Sequence, residues 1–247
     1  MNLIAIYGQR MRVAAAFIAL TALDASAEGL QPFSSAGAGA PPAPWRVVGL
    51  PAASKPLTQF DIVALDGQSV LRVRADNSYA NLTHDLPPGT PAGMLRWTWR
   101  VDEPLPHTNL RTKNGDDVAI KVCALFDLPL ENIRFVERNL LRMARSASGE
   151  YLPGASLCYV WDPQLAVGTE LTNAFTGRVH YQVLDSAATP LAKWVTHSRD
   201  LRADFLRSFG GESDTVPPLL AIVVGADADN THDASLAYVG DVVLVKQ

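Results

Sequence analysis

The 247-residue chain carries 48% hydrophobic residues and a formal net charge of −4, enough apolar material for a sizeable core and too acidic a balance for a nonspecific nucleic-acid surface. Two cysteines without a neighbouring histidine exclude a Cys/His zinc site. Beyond the N-terminus no stretch approaches the roughly 20 apolar residues that a membrane-spanning helix requires.

The N-terminus has the layout of an export signal. Arg10 and Arg12 form a basic region, Val13 to Leu23 an apolar one, and Ala25-Ser26-Ala27 a small-residue cleavage box, with Met1 or Met11 as the start. Cleavage after Ala27 removes Arg10, Arg12 and Asp24 and leaves 19 basic against 24 acidic residues. The expected location is periplasmic or secreted, with no transmembrane segment in the mature chain. Residues 28–44 are rich in Ala, Gly, Ser and Pro, the composition of a flexible leader. A single domain is expected over residues 45–247.

From Trp45 onward short apolar or period-2 runs alternate with turn residues, the pattern of an all-β chain. Eleven strands are expected, at 45–50, 60–66, 69–75, 79–86, 94–102, 116–126, 156–161, 177–185, 193–199, 219–226 and 236–246. That count favours an antiparallel β-sandwich of jelly-roll, galactose-binding-like type. Asp66-Gly67 marks a hairpin.

Two stretches break the pattern and read as helical insertions. After Asp127, a candidate N-cap, Ile133, Val136, Leu140 and Met143 or Ala144 recur at helical spacing, with Gly149 as the stop. Arg134, Arg138, Arg142 and Arg145 form a basic stripe on the other side, either a solvated face or a surface for an anionic ligand or envelope. In the second, Asp200 caps a short helix with Leu201, Phe205 and Leu206 on its apolar side, ended by Gly210-Gly211.

Candidate ligand-binding residues follow from strand geometry. On 94–102, Leu95, Trp97, Trp99 and Val101 share one face and Arg96, Thr98, Arg100 and Asp102 the other. On 116–126, Asp117 and Lys121 share a face. If the two strands lie in one sheet, Arg96, Arg100, Asp117 and Lys121 make a patch of donors and acceptors suited to sugar hydroxyls, with Asp116 as a further ligand-binding candidate. Tyr159 and Trp161 share a strand face and offer an aromatic platform, with burial in the core as the alternative. Cys123 and Cys158 are either joined or two buried thiols.

The last cluster is "GADADNTHDASLAYVGD". Asp227 and Asp229 match the start of an EF-hand loop, but His232 replaces the glycine at its sixth position and Tyr238 the glutamate at its twelfth. A calcium site assembled from loops would use Asp227, Asp229, Asn230 and Asp241; the simpler alternative is a polar turn. An enzyme would draw on Asp117, Asp227 and Asp229 as acid and base. No G-x-S-x-G or H-E-x-x-H motif is present. The acidic motifs at 116–117 and 227–230 each sit at the end of a long apolar strand and are expected to converge.

The ordered set "RWTWRVDEPL", "NGDDVAIKVCALFD", "LCYVWD" and "GADADNTHDASLAYVGDVVL" resembles a bacterial exported family catalogued as domain of unknown function 3047, over about Trp45 to Val245. Lys121 stands where the family more often has arginine. The resemblance implies a secreted β-sandwich, similar in architecture to the jelly rolls used as carbohydrate-binding modules. The expected function is non-catalytic binding of a saccharide or cell-envelope polymer; the alternatives are a glycan hydrolase or lyase and a structural envelope protein.

Overall fold

The computed structural model describes residues 29–50, 55–148 and 151–245. The export segment at 1–27 lies outside them. Thirteen strands are present among the described residues: β1 (Arg46–Val48), β2 (Gln59–Leu65), β3 (Gln68–Asp76), β4 (Tyr79–Thr90), β5 (Met94–Glu103), β6 (Val118–Phe126), β7 (Ala155–Asp162), β8 (Glu170–Thr172), β9 (Val179–Ser186), β10 (Val195–Asp200), β11 (Leu219–Asp227), β12 (Ala234–Val239) and β13 (Val243–Val245). All eleven expected runs form strands. The last divides into β12 and β13 around Gly240-Asp241, and the three-residue β8 is too short to show a period.

The strands form a seven-stranded sheet, β1-β4-β11-β6-β7-β9-β8, and a six-stranded one, β10-β5-β12-β3-β2 with β13 paired to β5. One pair departs from the expected antiparallel pattern: β7 and β9 run parallel, because β8 intervenes and takes the antiparallel place beside β9. At the β2–β3 hairpin Asp66 and Gly67 both have positive φ, as a tight primed turn requires.

One core lies between the sheets. Trp97, Trp99 and Val101 of β5 and Leu71 and Val73 of β3 meet Ile120, Val122, Tyr159, Ile222 and Val224 of the other sheet. The Trp97 and Tyr159 rings lie 5.2 Å apart. A smaller cluster of Val118, Cys123, Cys158, Val160, Tyr181, Val183 and Val223 covers the opposite face of the seven-stranded sheet. Both faces of β7 are therefore buried throughout. Cys123 and Cys158 stand opposite one another on β6 and β7 and form a disulfide.

Two polar groups bridge the core. Asp185 of β9 accepts hydrogen bonds from the Trp99 indole (2.6 Å) and Thr189, and its Oδ2 lies 2.9 Å from His197 Nε2 of β10. Burial alone would raise its pKa, but the bonds from His197 and Trp99 outweigh that and hold the carboxyl below the usual range. Tyr159 donates to Asp204 (2.7 Å), which also takes a two-pronged contact from Arg199.

Two α-helices are present among the described residues, α1 (Phe135–Ser148) and α2 (Leu201–Phe209). Asp200 caps α2 as expected, accepting from the backbone N–H of Arg202 and Ala203. Leu201, Phe205 and Phe209 are buried there, while Leu206 faces out. Helix α1 starts later than the pattern suggests. Pro129 and a 3-10 turn at Leu130–Asn132 precede it, and Asp127 accepts from the Tyr151 hydroxyl instead of capping. Its expected apolar side is not its buried side. Ile133, just ahead of α1, and Leu141 within it are buried, whereas Val136, Leu140 and Met143 are exposed.

The stretch 29–44 is not a flexible leader. Phe33 is fully buried and its ring lies 5.0 Å from that of Trp45. The Trp45 indole donates to the Gln31 carbonyl, and Gly39 bridges to Ile62 of β2. Composition understates order here because two aromatic anchors fix the segment through contacts remote in sequence. Phe33→Ala is expected to lower stability by about 3–5 kcal/mol; an unchanged urea midpoint would show that the segment contributes nothing.

The depressed Asp185 pKa has a definite pH signature. Its stabilisation is fully present above the unfolded carboxyl pKa of about 3.9 and is lost as pH falls through the lower folded value. The stability difference between wild type and Asp185→Asn should therefore be complete at pH 6 and narrow below about pH 4, as read by urea unfolding across that range. A constant difference would contradict the assignment.

Candidate functional site

Two polar constellations stand out. The first is the acidic cluster. Strands β6 and β11 are antiparallel neighbours with Asp227 in register with Val118, so the end of β11 meets the start of β6 and the two motifs converge as expected. Asp117, Asp227 and Asp229 each bring an oxygen within 4.8 Å of the others, and all three are buried.

Protein donors fill much of this cluster. Asp117 accepts from the Asn230 backbone N–H and side-chain amide and from the Thr231 N–H (2.6 Å) and hydroxyl (2.7 Å). Asp227 accepts from Lys121 Nζ (3.1 Å) and the Val118 N–H. Lys55 Nζ donates to the Asp229 carbonyl and lies 3.5 Å from its carboxylate. Lys121 is in register with Gly225, where a Cβ would come within 2.4 Å of Asn81 Oδ1 and 2.9 Å of Lys121 Cε. A side chain at 225 would collide with the buried lysine.

Electrostatics follow from this crowding. Burial, with the charge of Asp117, pushes the Asp227 carboxyl up to about 6 even though Lys121 pulls it down. Burial works against the Lys121 ammonium, but Asp227 and the groups around it outweigh that and raise its pKa. Asp116, also raised chiefly by burial, accepts from Asn173 through one oxygen, while the other has no partner among the described residues.

The three carboxylates bear three negative charges against the two lysines, and four donor groups of Asn230 and Thr231 hold the loop after β11 on Asp117. The cluster is a clamp. Acid–base work on a glycan needs two carboxyls flanking an accessible bond, about 5–5.5 or 6.5–9.5 Å apart; Asp117, Asp227 and Asp229 are buried against one another. Asp241, expected among the calcium ligands, lies elsewhere and accepts from the Ser34 N–H and hydroxyl. Asn230 turns its amide N–H to Asp117 and to the Asp116 carbonyl.

The expected donor–acceptor patch does not form, because β5 and β6 belong to different sheets. Arg96 and Arg100 face outward on the six-stranded sheet, while Lys121 is buried in the seven-stranded one. Nor do Tyr159 and Trp161 make a platform: they are 1% and 3% exposed, facing the core.

The second constellation is an open groove on the six-stranded sheet, about 280 Å³ in volume and lined by Asp66, Gln68, Val70, Thr98, Trp194 and Gly240. Asp66 comes from the β2–β3 turn, Gln68 from the start of β3, Thr98 from the outward face of β5, Trp194 from just before β10 and Gly240 from just after β12. Asp66 accepts from the Trp194 indole N–H (3.0 Å) and from Arg100 (3.2 Å). Arg100 also grips Asp102 with two bonds and lies 5.9 Å from the Tyr238 ring. At Gly240 a Cβ would come within 2.4 Å of the Thr98 hydroxyl, so glycine leaves this part of the groove clear.

Sequence reasoning reached Arg100 but missed Trp194, Asp66 and Gln68. Asp66-Gly67 was legible as a turn, with nothing to show what the aspartate faces. Trp194 sits at the start of its strand, where no period assigns it a side.

The clamp yields a direct test. Lys121→Met leaves Asp227 buried without its ammonium partner and should cost about 3–5 kcal/mol by urea unfolding. Calcium and EDTA should leave the wild-type melting temperature unchanged if the lysines and amides already satisfy the cluster. A calcium-dependent rise abolished by Asp229→Ala would instead establish the cation site.

No curated protein matches the chain. Solved structures with partial likeness include the K2 cleaved adhesin domain of Lys-gingipain, at 12% identity over 88% of this chain and 99% of that one, TM-score 0.41. A second is the family 11 carbohydrate-binding module from Clostridium thermocellum in complex with a β-1,3-1,4-mixed-linked tetrasaccharide, at 11% identity over 88% and 94%, TM-score 0.41. A third is TmCBM61 in complex with β-1,4-galactotriose, at 9% identity over 83% and 90%, TM-score 0.35. The model of the family described as "Protein of unknown function (DUF3047)" matches residues 43–243, and the chain belongs to that family.

Proposed function

We propose that this protein is an exported, non-catalytic binding domain of jelly-roll type whose groove on the six-stranded sheet receives a saccharide unit of an envelope polymer. The observation that carries this reading is the Trp194 indole in an open groove, fixed by Asp66 and flanked by the Gln68 amide, the Thr98 hydroxyl and the Arg100 guanidinium. A sugar presents apolar C–H faces and hydroxyls that both donate and accept. An aromatic ring beside a carboxylate, an amide and a hydroxyl answers both requirements. The volume lies near the lower end of the roughly 300–1,000 Å³ of small-molecule sites, which suits one sugar unit of a chain that continues past the groove. Export is supported by the basic-apolar-small layout of residues 10–27 and by the Cys123–Cys158 disulfide, a bond that persists in oxidising compartments.

Glycan-array screening followed by calorimetry tests the groove. Trp194→Ala should weaken saccharide binding at least about tenfold, the equivalent of about 1.4 kcal/mol, with little change in melting temperature because the ring is only half-buried. Retained affinity in that variant would remove the groove from the proposal. Release of reducing sugar that disappears in Asp117→Asn would overturn the non-catalytic assignment.

A further inference from the structure

Helix α1 leaves its apolar ridge uncovered. Val136, Leu140 and Met143 fall at i, i+4 and i+7, one stripe of a helix, and are 67%, 60% and 69% exposed; Phe135 beside them is 68% exposed. The arrangement is fixed. Leu141 is buried, and Glu137 is paired with Arg178, itself gripped by Glu212. Rotating the ridge inward would break both anchors.

Charge on α1 and its first flanking residue opposes that of the whole chain. Arg134, Arg138, Arg142 and Arg145 stand against Glu137 on this stretch, in a protein whose net charge is −4. Arg134 and Arg142 are exposed and make no ion pair among the described residues. Next to the C-terminal end of α1, Tyr151 is 60% exposed and stacks with Arg145. The Phe135 side of this apolar surface is bordered by Arg138, whose guanidinium lies 5.6 Å from the Phe135 ring, and by Arg142 seven residues on, and an apolar surface with cations at its edge fits an occupant with an apolar interior and an anionic surface. A second copy packed on the Phe135 side would bring these arginines toward their counterparts, which like-charge repulsion disfavours.

We propose that α1 seats this protein on an anionic phospholipid surface, lying in the headgroup region with Phe135, Val136, Leu140 and Met143 inserted and the exposed Arg134 and Arg142 at the phosphates. Its 14 residues span about 21 Å, too little to cross a hydrocarbon core of about 30 Å, so the helix lies on the bilayer. This surface role stands apart from the saccharide groove and does not depend on it.

The test is flotation of the full chain with vesicles of phosphatidylcholine alone and with phosphatidylglycerol added, at low and high salt. All variants keep residues 1–28, so that segment contributes equally throughout. Wild type should float more with the anionic vesicles than with neutral ones, and the difference should shrink at high salt. Arg134→Gln with Arg142→Gln should weaken binding about 30-fold, at about 1 kcal/mol per basic residue. Leu140→Ser with Met143→Ser should abolish the part of binding that α1 supplies, while circular dichroism and melting temperature stay near wild type because both side chains are already in solvent. Equal flotation of wild type and both variants, or no preference for anionic vesicles, overturns the proposal. So does a concentration-dependent dimer in sedimentation that Leu140→Ser dissolves, which would assign the ridge to a second copy.

Discussion

The constraint on which the structure turns is the burial of two tryptophans side by side on β5. Burying an indole contributes a large apolar surface, but its N–H must find an acceptor or cost free energy. Trp99 finds Asp185 across the gap between the sheets. The same carboxylate holds His197, which lies against both Trp97 and Trp99. One acid on β9 therefore ties together β5 and β10 of the opposite sheet, and β10 takes its place at that sheet's edge. Trp194 lies three residues before His197. The position of the groove aromatic is thus inherited from a hydrogen bond inside the core.

A second tie acts at the end of the fold. Because β11 and β6 are antiparallel neighbours, the acids after one and before the other arrive at the same place. The fold tolerates them by supplying two lysines and a loop of amide and hydroxyl donors. Lys121 lies in a strand that sequence alternation assigns to a polar face, yet it is 6% exposed. It stays charged because it is surrounded by acids, and Gly225 gives it room.

Much of the architecture is legible in the residues. Period-2 alternation finds the long strands, Asp66-Gly67 finds the hairpin and Asp200 finds the start of α2, since each depends on local chemistry. What local chemistry does not carry is partnership. Alternation on 94–102 separates Arg96 and Arg100 from the tryptophans but does not say that 116–126 lies in the other sheet. Strand β7 is buried on both faces, so Tyr159 and Trp161 lack the polar neighbours that would reveal a side. The helical period around Leu140 shows that an apolar stripe exists without showing whether anything covers it. The segment 29–44 has the composition of a linker, and its order comes from Phe33 and Trp45. The acidic convergence was legible because both motifs sit at strand ends. The groove was not, because its walls come from four separate places in the chain.

The disulfide places α1 in an unusual setting. Cys123 and Cys158 are 35 positions apart, and everything between them, including the connection after β6, the whole of α1 and the return into β7, forms a closed covalent ring. A protease cutting the exposed turns of this excursion would open the ring without detaching either half. The two pieces would travel together until a reductant separated them, and the β6–β7 pairing beneath would keep its register. The more exposed of the two described α-helices is thus the one whose cleavage is less able to release a fragment.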